Sequence, residues 1–217
     1  MRLLFIRHGE PQASLDRVVG GPKGCRGLTD LGRLQVEALR DRLLASNEIE
    51  AQATYTSILA RAVETASILE PAIGWAVEDC DLCELHPGEC DGSSWDDHAS
   101  AFPTWDAPDK VFSPGGESLA SFDRRVRRAL VRLTQPEDDR TVVVVGHGGF
   151  IEAASLAFME GPKYSERRPY VTALHFTSIT EWQRLPDGRW RLERYNDAGH
   201  LRGLPLVTPG GVLPLKP

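Results

Sequence analysis

Two histidines stand directly after short apolar runs and beside glycine: His8 in Arg7-His8-Gly9-Glu10 and His147 in Gly146-His147-Gly148-Gly149. A neutral imidazole is a good nucleophile near physiological pH, and a glycine neighbour lets the backbone turn sharply toward a ligand. Arg7 adjoins His8, and Arg61 follows a second apolar-to-polar transition at Ser57. Their guanidinium groups offer planar forks of donors that match phosphate oxygens. Gly148 and Gly149 open what reads as a helix, and amides at a helix N-terminus favour an anion. One histidine after a strand is more often structural than catalytic. Two of them, with two arginines, point to an anion-attracting pocket whose natural occupant is phosphate.

The elements that must hold these residues can be read from periodicity. Residues 2–6 and 141–145 are apolar runs, the second β-branched, that suit strands buried on both faces in the middle of a sheet. In such sheets ligands gather beyond the carboxyl ends of the strands, so both imidazoles are expected to face one crevice. Thr29 is placed to cap a helix running to about residue 45, with Leu31, Leu34, Ala38 and the stem of Arg42 on one face. Residues 53–56 suit another strand, and Ser57 is placed to cap a helix through Leu69 that Pro71 ends. From 117 to 133, Leu119, Phe122, Val126, Leu130 and Leu133 repeat at helical spacing. Arg124, Arg125, Arg127 and Arg128 then fall mainly on the other faces and read as solvated helix surface. Strands at 173–180 and 190–195, joined around Pro186-Asp187-Gly188, suggest an antiparallel hairpin. This alternation implies one α/β domain over residues 1–217, a three-layer α/β/α sandwich with a mostly parallel central sheet.

Composition narrows the class. The hydrophobic share of 41% and charged share of 26% are those of ordinary globular chains, and no apolar run is long enough to cross a bilayer. A formal net charge of -6 argues against nucleic acid as a partner despite the local arginines. Four cysteines are too few for a disulfide scaffold, so reduced thiols in a cytoplasm are the expectation. No membrane partner is expected, and a homodimer is left open.

Six blocks in order, spanning nearly the whole chain, resemble the histidine phosphatase superfamily, which includes the cofactor-dependent phosphoglycerate mutases. They are Arg7-His8-Gly9-Glu10, the run from Thr56 through Arg61 to Ala66, Leu82-Cys83-Glu84, Gly115-Gly116-Glu117-Ser118, Gly146-His147-Gly148-Gly149, and Asn196-Asp197-Ala198-Gly199-His200-Leu201. The resemblance implies a phosphoglycerate mutase-like fold and a metal-independent reaction without a cofactor. It also implies that His8 is transiently phosphorylated, that Arg7, Arg61 and His147 bind the transferring phosphoryl group, and that Glu84 is the proton donor. Glu10 and Glu64 are expected to be structural. Family members often carry threonine and asparagine after the RHGE block, where this chain has Pro11 and Ser14. Ser14 is the substitute expected to donate to phosphate, and Gly148, at the start of its helix, is expected to bind it too.

Competing activities separate on the stretch from 84 to 116. A mutase must shield its phosphohistidine and hold a second acidic group, which calls for extra cations, yet Lys110 is the only lysine or arginine there, alongside His86 and His98. Hydrolysis of a small-molecule phosphomonoester is the better reading; a protein phosphatase needs a more open cleft, and a non-catalytic phosphate binder needs no intact acid. Residues 88–116 are expected to form an active-site lid, with Trp95, Phe102 and Trp105 packing it onto the core. Cys80, Cys83, His86 and Cys90 offer four soft ligands over a short span. Their atypical spacing, and Glu84 trapped among them, lead to the expectation that no metal binds.

Overall fold

The computed structural model describes residues 1–104, 106–135, 139–160 and 173–204. Strand β1 (Arg2–Arg7) leads into the single-turn helix α1 (Gln12–Leu15) and the long helix α2 (Asp30–Ser46). Strand β2 (Ala53–Thr56), helix α3 (Ala60–Ile73) and the three-residue strand β3 (Ala76–Glu78) follow. The short helix α4 (Trp95–His98) interrupts the excursion that precedes helix α5 (Leu119–Leu133). Strand β4 (Thr141–Gly146), helix α6 (Gly148–Glu160), strand β5 (Ile179–Arg184) and strand β6 (Trp190–Asp197) complete the order.

The six strands form one sheet in the order β3-β2-β4-β1-β5-β6. The first four are mutually parallel, and β5 runs antiparallel to both of its neighbours. Successive residues of a strand point to opposite faces. Leu3, Phe5, Val142 and Val144 therefore meet Phe122, Val126 and Leu130 of α5 and Phe150 of α6 on one face. Leu4, Ile6, Val143 and Val145 meet Val36, Leu39 and Leu43 of α2 and Ala66 and Leu69 of α3 on the other. This is the expected three-layer α/β/α sandwich with its mostly parallel sheet.

Local chemistry accounts for the ends of these elements and for several departures from the sequence reading. The Thr29 hydroxyl accepts from the Gly32 N–H and caps α2 as expected. The buried face of α2 is nevertheless Gln35, Val36, Leu39 and Leu43, with Leu34 half exposed, because Val36 and Leu39 turn the stripe one position along the helix. Ser57 does not cap α3: its first turn begins at Ala60 after an uncapped Leu59, and the backbone N–H that Ser57 Oγ accepts from is that of Leu59, before the helix. Pro71 does not end α3, which continues to Ile73 before Gly74. The edge strand β3, too short and too exposed to show an apolar run, was not expected.

The hairpin around Pro186-Asp187-Gly188 forms, with Gly188 at φ 83° and its N–H donating to the Leu185 carbonyl. Its first strand, however, spans Ile179–Arg184, and residues 173–178 form a loop instead. Thr177 at φ 59° breaks the extended backbone there. Its N–H turns back to the carbonyls of Arg7 and His8 at 3.0 and 3.3 Å.

The excursion packs as a strap with a small core of its own. Trp95, Phe102 and Phe112 stack with ring centroids 5.1 to 6.0 Å apart, over Val19 and Cys90. Trp105 lies outside the described residues. Backbone bonds from Val19 N to Ser93 O and from Gly92 N to Val19 O, both 2.9 Å, clamp the strap onto the loop that follows α1.

Candidate active site

Parallel register brings the predicted residues together. Arg7 pairs with Gly146 and Thr56 with Val145, so His8, Ser57 and His147 leave three adjacent strands at the same level. The His8 and His147 rings lie 5.1 Å apart, inclined at 60°. Gly9 makes this level possible by touching α2: a Cβ there would sit 2.6 Å from the Gly32 carbonyl oxygen.

His8 has a defined tautomer. Its Nδ1 lies 2.7 Å from the Gly9 carbonyl oxygen, which can only accept, so Nδ1 carries the proton. Its Nε2 accepts from Arg61 Nε at 3.2 Å, so the lone pair sits there. Both bonds demand the same neutral ring. Arg61 also donates through Nη1 to the Gly20 carbonyl at 2.7 Å, tying the site to the loop beneath the strap. Burial first, and then the cations Arg61 and Arg7, hold the His8 pKa well below the usual imidazole value. The same causes act on His147, with His8 adding to them.

Arg7 is buried, lies 4.2 Å over the Phe176 ring and donates through Nη1 to the Leu174 carbonyl. Burial pulls its pKa down to about 10, with Glu84 opposing. Arg7 Nε and His147 Nδ1 are buried donor or acceptor atoms without a protein partner. The other nitrogen of His147, Nε2, lies 2.8 Å from Ser57 Oγ, which in turn donates to Cys83 Sγ at 3.2 Å. Arg7, His8, Arg61 and His147 thus form one buried cluster.

Glu84 enters from the other side. Its carboxylate accepts from the Gly149 N–H at 2.9 Å, while Gly148 lies against the Arg7 guanidinium. The first free amides of α6 were expected to serve phosphate; that of Gly149 is taken by Glu84. A Cβ on Gly149 would stand 2.3 Å from Glu84 Oε1, so only glycine admits the carboxylate there. Ser14 is exposed on α1. Glu10 and Glu64 are structural, as expected: Glu10 accepts from the Thr29 hydroxyl, and Glu64 from the Leu28 N–H and Arg33.

Two supports escaped the sequence reading. Arg125 is not solvated helix surface; it is buried, and its guanidinium donates to the carbonyls of Asp81, Cys83 and Glu84 at 2.8 to 3.0 Å and bidentately to Glu117. The signal was present, because Arg125 lies three residues after Phe122 and four before Ala129 on the buried stripe of α5. The loop 173–178 is the second. His200 Nε2 lies 2.7 Å from the Thr177 hydroxyl, and Asn196 binds the His175 N–H and the Ala173 carbonyl, so the last family-like block props the backbone behind Arg7 and His8. Burial and the nearby Arg42 pull the His200 pKa down to about 4.

Three of the four soft ligands noted in the sequence also converge. Cys80, Cys83 and His86 gather around the Glu84 loop, whereas Cys90 turns away to donate to the Pro87 carbonyl. The thiol of Cys80 is pushed up to about 11 by burial and by its neighbour Cys83. No helix among the described residues is long and apolar enough to cross a membrane.

A six-stranded sandwich with a buried histidine pair and two arginines at its carboxyl edge matches what comparison finds. Residues 3–198 match the model of the histidine phosphatase superfamily (branch 1), and the chain belongs to that family. It is 29% identical over 96% of its length, and 90% of the relative's, to phosphoglycerate mutase-like protein 4 of Arabidopsis thaliana. It is 31% identical over 90% of its length, and 94% of the relative's, to glucosyl-3-phosphoglycerate phosphatase of Mycobacterium tuberculosis. Among solved structures, mycobacterial glucosyl-3-phosphoglycerate phosphatase in complex with VO3 superposes with a TM-score of 0.72 at 28% identity, covering 90% of this chain and 98% of that one. YhfR of Bacillus stearothermophilus gives a TM-score of 0.75 at 26% identity, covering 92% and 98%.

Proposed function

We propose that the protein is a metal-independent phosphatase that hydrolyses a small-molecule phosphomonoester through a phosphohistidine on His8. The observation that carries this reading is the His8 tautomer: Gly9 fixes the proton on Nδ1 and leaves the Nε2 lone pair available for attack. Nε2 forms a bond to phosphorus as the ester P–O bond breaks, and Glu84 gives the leaving oxygen its proton. Water then attacks the phosphohistidine, returns a proton to Glu84 and releases phosphate. Charge on the equatorial oxygens is met by Arg7, whose Nε has no protein partner, and by Arg61 and His147. Arg61 exchanges its bond to His8 for one to the incoming phosphoryl group.

Two features support a small substrate. The cluster is buried among the described residues, and the strap covers the loop that Arg61 grips, which favours a small substrate over a protein surface. Relatives bear the names metal-independent phosphoserine phosphatase and glucosyl-3-phosphoglycerate phosphatase, both small-molecule activities. Ser14, exposed on α1, is a secondary contact to phosphate in this reading. The test is phosphate release across classes of metabolite in the presence of a chelator, with His8→Ala as control. Activity that survives His8→Ala, or that requires added metal, overturns the mechanism.

A further inference from the structure

Cys80, Cys83 and His86 form a cluster that the phosphatase chemistry does not use. Cys80 Sγ lies 3.8 Å from Cys83 Sγ and 3.6 Å from His86 Nε2, and the three ligand atoms all fall within 4.8 Å of one another. A tetrahedral ion with metal–sulfur bonds of about 2.3 Å and metal–nitrogen bonds of about 2.0 to 2.1 Å has an S–S edge of about 3.8 Å and an S–N edge of about 3.6 Å. Both measured edges match. A thiol–thiol hydrogen bond accounts for the first distance but draws no imidazole to the same point.

The surroundings suit a cation as well. His86 turns Nε2 to the Cys80 sulfur and Nδ1 to the side of Glu117 Oε2, 3.7 Å away, a carboxylate placed near the ring nitrogen that a metal would leave free. Arg125 fixes Glu117, and it fixes the intervening backbone through the carbonyls of Asp81, Cys83 and Glu84. The ligands are therefore held in place by the fold before any ion arrives. Cys83 is buried, His86 half-buried and Cys80 exposed, so one side of the cluster faces solvent.

We propose that Cys80, Cys83 and His86 bind one thiophilic divalent ion of the zinc type, with a fourth position open to water or a small ligand. Each thiol releases its proton to solvent on binding, and His86 binds as the neutral ring through Nε2. The three ligands are not among the groups assigned to phosphoryl transfer. Cys83 nevertheless touches Ser57, and Ser57 touches His147, so the two sites share a wall.

The test titrates the reduced, metal-free full chain with Co²⁺ in the absence of oxygen, followed by Zn²⁺. One equivalent of Co²⁺ gives tetrahedral d–d bands and a thiolate-to-cobalt charge-transfer band, and Zn²⁺ displaces it. Cys80→Ser and His86→Ala each weaken binding by more than about tenfold and keep the phosphatase activity of the metal-free protein. Absence of the charge-transfer band, or binding unchanged in both variants, overturns the proposal. So does a band that disappears with Cys90→Ser but not with Cys80→Ser. Phosphatase activity is measured separately with chelator present, so failure here leaves the His8 mechanism standing.

Discussion

The proposed nucleophile and the proposed acid are positioned by different means. His8, Ser57 and His147 sit where they do because β1, β2 and β4 pair in parallel register, a ladder of backbone bonds that no single side chain controls. Glu84 sits on a loop outside the sheet, held by one guanidinium from α5 and one amide from α6. Backbone register is redundant and tolerant of substitution, whereas a loop pinned by Arg125 is vulnerable at one residue. The nucleophile side of the reaction is therefore robust in placement, and the acid side is adjustable.

The sharpest break in that contrast is chemical. His8→Ala keeps the register but is expected to lower kcat/KM by at least ~10³-fold, with no acid-labile phosphoenzyme after a rapid quench; a normal phosphoenzyme would assign the nucleophile elsewhere. Arg125→Met attacks the acid side. It leaves Glu117 buried without its partner and is expected to cost about 3 kcal/mol in denaturant unfolding. If Arg125 positions Glu84, the remaining activity falls far more for an alkyl phosphate than for p-nitrophenyl phosphate, whose leaving group needs no proton. Equal losses on both substrates would make Arg125 a purely structural residue.

Gly149→Ala separates placement from stability. The added methyl displaces the flexible end of Glu84, so kcat on an alkyl ester is expected to fall about tenfold while the unfolding midpoint hardly moves. An unchanged kcat would remove Glu84 from the acid role. The smallest effect concerns the prop behind His8. Buried His8, His147 and His200 have lowered pKa values in the fold, so between pH 6.5 and about 4 the unfolded chain binds more protons, and stability falls as pH falls. His200→Gln is expected to make that decline shallower, measured as unfolding midpoint against pH. A steeper decline would contradict a neutral His200.

How legible each part was follows from the same contrast. The runs at 2–6 and 141–145 announce central strands because a strand covered on both faces must be apolar at every position, and the glycines beside His8 and His147 mark where each strand stops. Arg125 was misassigned because a run of arginines reads as solvated surface unless each is placed on the helical stripe. The loop 173–178 reads as strand for a different reason: β-branched and aromatic residues are extended by propensity, but about twenty positions later Asn196 captures its backbone and His200 the Thr177 hydroxyl. Cys80, Cys83 and His86 were visible as a spacing, and Cys90 could be set aside only once Pro87 was seen to hold it.

By itself the sequence determined the layer architecture, the identity of the histidine pair and its arginines, and the family. Those follow from periodicity and from side-chain chemistry, which are local. Only the tertiary structure decided which nitrogen of His8 is free, that Glu84 occupies the amide of Gly149, and that a buried arginine holds the acid loop. Each of these depends on groups far apart in the chain meeting within hydrogen-bond distance, and sequence order carries no measure of that distance.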